Sequence, residues 1–402
     1  MTDQLTRRLN LQGMLLQGAY YFALSTYMVF MVTTLMDYGW TASAAAGAMT
    51  VMSVIVLLIQ PLIGLLSDKK FSEKKLAIAL MAVSAFSFFM LPTSLASGST
   101  FLVWLTMAAI TVTTLPAAGM LDAWVVGLNQ EFKGMNYGLI RGTGALTFAI
   151  AAQVSGVMTQ NFGHDARLFM GGCSLFLAVI AALSFRPIKK KTEEGPTGTD
   201  SPQITGKEAF RLILTSRPYV LLLVTSFFLM LTTQSLSVLL QLLILDFGGT
   251  SAQIGTASAF MAGSEVPIMF LMAYLLKNFG YKRLFLFTGA FYVLRMFLMG
   301  VVGSVDALIF VQLFQGLTFA ILIPLTMSFL PKILDDRIRT TGINLFSALT
   351  GSLTGILANF ITTSLVGVGV APQRVVLVFA FAAFIGFCFV VYGAATKTWD
   401  LT

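Results

Sequence analysis

Long apolar stretches separated by short polar breaks dominate this 402-residue sequence. A helix needs about 20 apolar residues to cross the hydrocarbon core of a bilayer, and roughly twelve stretches reach that length. Only 10% of the residues are charged, whereas charged residues make up about a quarter of a soluble domain. The sequence therefore predicts an all-α integral membrane protein. We number the predicted spans 1 to 12 in chain order: 13–36, 42–66, 76–97, 101–128, 137–160, 167–186, 217–245, 251–276, 283–303, 306–330, 338–364 and 373–396.

The placement of Lys and Arg predicts the orientation of these spans. All but four of the 25 basic residues fall on the side that holds both predicted termini. The exceptions are Arg141 and Arg295 within spans, and Arg167 and Arg374 in loops on the opposite side. Because positive charge marks the cytoplasmic side, we expect both termini in the cytoplasm and the protein in the plasma (inner) membrane. The net charge of +8 then reflects topology and contact with anionic lipid, and we expect no nucleic-acid partner.

A polar segment and an internal repeat divide the chain into halves. Residues 187–216 replace apolar residues with Pro, Gly, Thr and charge, which predicts a cytoplasmic linker between bundles 1–186 and 217–402. The loops 69–76 and 277–284, after spans 2 and 8, are both tight and basic and occupy the same place in their halves. This repeat predicts two pseudo-symmetric six-helix bundles with a site at their interface, near the bilayer midplane.

The first of these loops carries a motif. A glycine, an aspartate, a basic pair and a second basic pair follow one another at the end of span 2. The motif residues are Gly64, Asp68, Lys69, Lys70, Lys74 and Lys75. The run resembles the loop between spans 2 and 3 of the major facilitator superfamily, although the glycine expected after the first basic pair is absent. The resemblance implies the major facilitator fold, alternating access, a monomer and a conformational latch at this loop. A charge cluster that only obeys the positive-inside rule is the alternative reading.

Ionisable side chains within spans narrow the comparison further. Asp122 lies in span 4, Arg141 in span 5, Glu265 in span 8 and Arg295 in span 9. A charge inside a bilayer is costly, so it persists mainly where it faces a cavity or a partner and has a function. The arrangement resembles the oligosaccharide and nucleoside proton symporters, lactose permease-like and nucleoside permease-like. The resemblance implies that Asp122 and Arg141 bind solute hydroxyls, and that Glu265, Arg295 and Asp122 take part in proton coupling.

Other positions depart from the lactose permease pattern, which has a His and a Glu on span 10, acids on span 7 and a stacking Trp on span 5. Here the corresponding spans offer Gln315, the pair Thr233 and Gln234, and Phe148. Lactose is therefore disfavoured, and a sugar, glycoside or nucleoside is expected. Gln17, Tyr20 and Tyr21 on span 1 are further candidates for solute contact. For these polar and aromatic positions, packing within the bundle is the alternative.

Several kinds of chemistry lack a motif in this sequence. There is no phosphate-binding Gly-rich loop with Lys and Ser/Thr, no metal-ligand spacing and no nucleophile paired with a base. We therefore expect no enzyme activity, cofactor or metal, and secondary transport with a small-molecule solute and protons as partners. The predicted function is proton-coupled symport. A drug or lipid exporter of the same superfamily is the first alternative, and a non-transporting receptor or scaffold is the second.

Overall fold

The computed structural model describes residues 3–69, 72–131, 135–185, 211–213, 215–335 and 338–400, and the regular elements in these ranges are helices. The predicted all-α architecture is confirmed. The α-helices are α1 Asp3–Met28, α2 Met31–Asp37, α3 Ala42–Lys69, α4 Glu73–Ala96, α5 Thr100–Glu131, α6 Tyr137–Ser184, α7 Arg217–Asp246, α8 Ser251–Val301, α9 Val305–Val311, α10 Phe319–Ile333, α11 Arg339–Ser347, α12 Thr354–Gly367 and α13 Pro372–Ala395.

Two helices are longer than one membrane crossing requires. α6 has 48 residues and α8 has 51, and each contains one glycine with non-helical dihedrals. Gly163 has φ 82° and Gly280 has φ 68°, values that glycine adopts at little steric cost. Both glycines lie between predicted spans. Within the described ranges, nine helices are long and apolar enough to cross a membrane, or ten if the bent pair α1 and α2 is one span. The count of twelve stays a prediction.

Three predicted spans are not continuous α-helices. Span 1 bends by 44° between Met28 and Met31. Span 10 changes to a 3₁₀ turn over Gln312–Gln315 and resumes as α10, while span 11 contains a π-helical segment over Ala348–Leu353. The sequence gives no signal for these breaks, because average hydropathy does not register the local hydrogen-bond pattern of the backbone. Such irregular segments recur at functional sites.

The buried apolar side chains form two cores. The N-terminal core draws on residues 9–185 and also includes Val238 and Leu242 of span 7. The C-terminal core draws on residues 213–399 and also includes Val29, Phe30 and Ala152. Each half therefore has its own core, and the few exchanged residues mark where the halves meet. The predicted boundaries of the linker fall mostly outside the described residues and stay a prediction.

Hydrogen bonds between the halves lie toward one end of the bundle. We call this the outer end: it holds the loops after spans 1, 5, 7 and 11 and is the predicted extracytoplasmic end. Thr33 N donates to Gln241 Oε1 at 3.3 Å, Ser43 Oγ donates to Thr363 O at 3.2 Å, and Asn359 Nδ2 donates to Ser53 Oγ at 3.4 Å. Within the described ranges, these three are the hydrogen bonds that join the halves. The halves are thus closed against each other in the outer half of the bundle.

Spans 5 and 8 also meet across the interface, backbone against backbone. A Cβ atom placed on Gly156 would lie 2.6 Å from Ser251 O and 3.1 Å from Gly255 Cα. Small residues let two membrane helices approach closely, and no side chain fits at this position without a shift. This packing brings together the two helices that carry Arg141 and Glu265.

Candidate functional site

Asp122 organises a polar cluster in the N-terminal half. Its Oδ1 accepts a 3.0 Å hydrogen bond from Gln17 Nε2, and its Oδ2 lies 3.8 Å from Arg141 Nε. The side chains of Asp122 and Arg141 keep 31% and 38% of their exposure. Gln17 is buried, and its Oε1 has no protein hydrogen-bond partner. Spans 1, 4 and 5 thus hold a partly exposed carboxylate and guanidinium pair at 3.8 Å, next to an amide oxygen that has no protein partner.

An aromatic ring supports the guanidinium of Arg141. The Arg141 Cζ lies 4.4 Å from the centre of the Tyr21 ring, a distance at which cation and π system attract. Tyr21 packs on Gly144, where an added Cβ would lie 2.6 Å from Tyr21 Cδ2. The neighbouring Tyr20 is fully buried, and its hydroxyl donates to Thr114 O within the N-terminal half. Tyr21 therefore belongs to the cluster, whereas Tyr20 is engaged in packing.

A second network lies in the C-terminal half, around a buried arginine. Arg295 is 1% exposed, its Nη1 donates to Gln315 Oε1 and its Nη2 donates to Gln312 Oε1 at 2.8 Å. Gln315 Nε2 in turn donates to Glu265 Oε1 at 3.0 Å. The amide of Gln315 therefore connects Arg295 to Glu265. The sequence suggests a Glu265 and Arg295 pair without this intermediary, and among the described residues no ion pair within 4.0 Å joins them.

The break in span 10 places these amides. Gln312 and Gln315 lie three residues apart in the 3₁₀ turn, where side chains at that spacing share a face. Gly316 N donates to Ser264 Oγ at 3.0 Å, which holds the broken segment against span 8 next to Glu265. Thr318 Oγ1 is a further acceptor for Arg295 Nη1, at 3.5 Å.

The two networks lie on helices that meet at the interface. A Cβ atom placed on Gly142, next to Arg141 in span 5, would lie 3.8 Å from Cζ of Phe270 in span 8, five residues after Glu265. Spans 5 and 8 therefore adjoin near Arg141 and Glu265.

A model of the MFS_1 like family matches residues 10–367. The chain belongs to this family, within the major facilitator superfamily of membrane transporters. The match spans both halves and both charge networks. The predicted major facilitator fold is confirmed, and the protein is a multi-pass membrane transporter rather than an enzyme.

Relatives and solved structures agree with this family membership. The chain is 27% identical to a maltose permease of Geobacillus stearothermophilus over 336 residues, 83% of this chain and 82% of that protein. The crystal structure of the nucleoside transporter NupG matches with a TM-score of 0.79 and 16% identity, covering 98% and 100% of the two chains. A bacterial homologue of the lysosomal transporter Spinster, in an inward-facing and unoccupied conformation, matches with a TM-score of 0.71 and 11% identity, covering 99% and 98%. The two structures establish similarity of fold.

The remaining candidate residues of this MFS_1 like protein lie around the interface. Phe148 packs against both cores. Thr233 Oγ1 lies 3.1 Å from the hydroxyl of Tyr292, and Gln234 Nε2 donates to Gly351 O in the π segment of span 11 at 3.2 Å. Their hydrogen bonds within the C-terminal half do not test a role in solute contact, which stays a prediction.

The predicted latch falls mostly outside the described part of the chain. Lys70 lies outside the described residues, and only the backbone is described at Gly64, Asp68 and Lys69. Lys74 Nζ donates to Phe185 O at 2.6 Å, so this lysine ties the start of span 3 to the end of span 6. The backbone N of Lys75 donates to Ser72 Oγ, which caps α4.

Two residues that make these contacts are missing from the candidates that the sequence offers. Gln312 anchors Arg295, and Gln241 joins the halves at the outer end. The repeated glutamine at a three-residue spacing in span 10 is a signal for Gln312, because a buried amide in a membrane needs a partner. The partner of Gln241 is a backbone N–H on span 1, for which the sequence carries no signal.

Proposed function

We propose that this protein is a proton-coupled symporter of a small hydrophilic solute, a sugar, glycoside or nucleoside, working by alternating access. The observation that carries the proposal is the half-exposed Asp122 and Arg141 pair inside an apolar bundle. A carboxylate accepts and a guanidinium donates several hydrogen bonds, which suits neighbouring hydroxyls of a sugar or ribose. The maltose permease relative favours a glycoside as the first solute to test.

Contacts at the outer end support the alternating-access part. All three described hydrogen bonds between the halves lie in the outer half of the bundle, which corresponds to an outward-closed state. Rocking of the halves about the close contact of spans 5 and 8 opens the other side. In our proposal the solute binds between the halves, with Asp122, Gln17 and Arg141 on one wall and Thr233 and Gln234 on the other.

Glu265 is our candidate proton carrier. It lies on span 8, which packs against span 5 of the other half, the helix of Arg141, and Gln315 connects its carboxylate to Arg295. Rocking changes the distance between Arg141 and Glu265, because the two residues belong to different halves. A nearby cation favours the charged carboxylate, so a change in this distance links proton uptake to conformation. A membrane potential of about 100 mV supplies about 2.3 kcal/mol per charge moved.

Transport into proteoliposomes tests the proposal. A thermal-shift screen of the purified protein with maltose, other glycosides and nucleosides first identifies the solute, since a ligand of the folded state raises apparent stability. With an imposed proton gradient, we expect Glu265→Gln to abolish uphill uptake and to spare exchange of labelled solute. Asp306→Asn is the matched control, because Asp306 is an exposed acid of the same half.

The outcomes separate the proposal from its alternatives. Unchanged accumulation by the Glu265→Gln variant would contradict the coupling role. Raised drug susceptibility of a deletion strain, without loss of growth on any sugar or nucleoside, would support export instead. Solute binding without movement in any gradient would support a receptor.

A further inference from the structure

A third intramembrane arginine lies apart from both charge networks. Arg167, which the sequence places in an outer loop, is fully buried near the start of the second part of α6. A buried guanidinium is costly unless its donors are satisfied, so its partners indicate its task. Those partners lie on span 1, on both sides of the break between α1 and α2.

The break in span 1 leaves a backbone acceptor for Arg167. In a regular α-helix Phe30 N would bond to Thr26 O, but here Phe30 N donates to Tyr27 O at 3.3 Å. Arg167 Nη1 donates to Thr26 O in its place. Freed backbone groups inside a membrane must find such a replacement.

The same guanidinium also reaches the far side of the break. Arg167 Nη2 donates to Thr34 Oγ1 at 2.6 Å, and Thr34 belongs to α2. The Arg167 Cζ lies 5.1 Å from the centre of the Phe30 ring, which is located at the break itself. One side chain of span 6 therefore joins the last turn of α1 to α2.

A histidine and an aspartate extend the hydrogen bonds of Arg167 and Thr34. His164 Nδ1 lies 3.1 Å from Thr34 Oγ1 and 3.3 Å from Arg167 Nη2, while its Nε2 lies 2.5 Å from Asp37 Oδ2 at the end of α2. Arg167 can only donate, so the geometry fits a neutral ring whose Nδ1 accepts and whose Nε2 donates to the carboxylate. The second part of α6 thus contacts Thr34, Asp37 and Phe30 through Arg167 and His164.

α2 is also the part of span 1 that meets the other half. Its residues Met31 to Leu35 are buried. Thr33 N donates to Gln241 Oε1 of span 7 at 3.3 Å, and Val238 and Leu242 of span 7 belong to the N-terminal core. The angle between α1 and α2 therefore decides whether this outer contact can form.

We propose that Arg167 is a positioning residue that clamps the broken span 1 and thereby holds the outer end of the transporter closed. The inference rests on the alternating-access part of the proposed function, but on neither the solute nor the coupling ion. Loss of the clamp frees α2 to move away from span 7 and shifts the population toward outward-open states.

An engineered disulfide between spans 2 and 11 measures outer closure directly. A Cβ placed on Gly367 would lie 3.6 Å from Ser43 Cβ, within the range that a disulfide requires. The parent carries Ser43→Cys and Gly367→Cys, with the natural Cys173 and Cys388 replaced by serine. The initial rate of cross-linking under a fixed oxidant then reports the outward-closed population, in the absence of solute and proton gradient. A failed transport assay therefore leaves this test intact.

We expect Arg167→Met to slow cross-linking about tenfold, because charge-assisted buried hydrogen bonds are lost. Thr34→Val removes, with little change of shape, the hydroxyl that accepts from Arg167 Nη2, lies 3.1 Å from His164 Nδ1 and donates to Phe30 O. It should slow cross-linking about threefold. Arg374→Met, at an exposed position of the outer end, should leave the rate unchanged.

Arg167→Met protein that elutes as a single species and cross-links at the parent rate would overturn the proposal, as would equal slowing by Arg374→Met. If Arg167→Met does not fold, Thr34→Val decides: a slowed rate supports the clamp, and the parent rate overturns it.

Discussion

The two charge networks differ in how far their arginines are exposed. In the N-terminal half, Asp122 and Arg141 are separated by 3.8 Å and each keeps about a third of its exposure. In the C-terminal half, Arg295 is 1% exposed and both Nη atoms donate to glutamine oxygens. The Arg295 guanidinium is closed off by protein, whereas the Arg141 guanidinium and the Asp122 carboxylate keep exposed surface that a solute can contact. This difference is the basis on which we propose solute binding at the first network and coupling at the second.

The largest expected effect comes from removing the buried guanidinium. Arg295→Met leaves Gln312 and Gln315 oxygens without their donors, and we expect the free energy of unfolding to fall by about 3 kcal/mol. Thermal unfolding of the purified protein measures the change. Arg283→Met removes an exposed arginine from the same helix and serves as control. Equal free energies of unfolding for the two variants would show that the second network does not stabilise the fold.

Arg141→Ala tests the opposite behaviour in the open network. We expect the affinity for the identified solute to fall about hundredfold, because charge-assisted hydrogen bonds are lost. The free energy of unfolding should change by less than about 1 kcal/mol, since the pair is partly exposed. Calorimetric titration and thermal unfolding separate the two quantities. Thr143→Val is the control, because the Thr143 hydroxyl donates to Leu139 O of its own helix. An unaltered dissociation constant would refute the ligand role of Arg141.

Gln315→Leu tests the coupling role of the second network by removing the amide between Arg295 and Glu265. The variant removes the amide that joins Arg295 to Glu265 at similar volume. We expect solute accumulation under a proton gradient to fall about tenfold, as for a lost coupling energy of about 1.4 kcal/mol, with solute affinity unchanged. Thr318→Val is the control, because Thr318 contacts Arg295 and not Glu265. A loss of affinity equal to that of Arg141→Ala would place Gln315 in the solute site instead.

Parts of the site could be read from the sequence because they depend on single residues. Asp122, Arg141, Glu265 and Arg295 stand out as charges in apolar spans. Their partners could not be read in the same way, since a partner depends on how each helix is rotated and where it crosses its neighbours. The glutamine between Glu265 and Arg295 is one case. The bond from the Tyr20 hydroxyl to Thr114 O is another.

The partners of Arg167, at a span boundary, could not be read from the sequence either. The sequence places this arginine in a polar outer loop, consistent with its neighbours in the chain. The structure buries it because span 1 is broken at Phe30 and offers Thr26 O as an acceptor. Neither the break nor the acceptor has a signature in hydropathy.

The sequence by itself determined that this is an all-helical membrane protein, and that Asp122, Arg141, Glu265 and Arg295 are charges within apolar spans. Those properties follow from the preference of each residue for water or lipid, which neighbouring residues in the chain share. Only the tertiary structure decided that the helices of Arg141 and Glu265 pack together, that Gln315 stands between Glu265 and Arg295, and that the described contacts between the halves close the outer end. These outcomes depend on hydrogen bonds and close packing between residues far apart in the chain, for which the sequence holds the groups but not the distances.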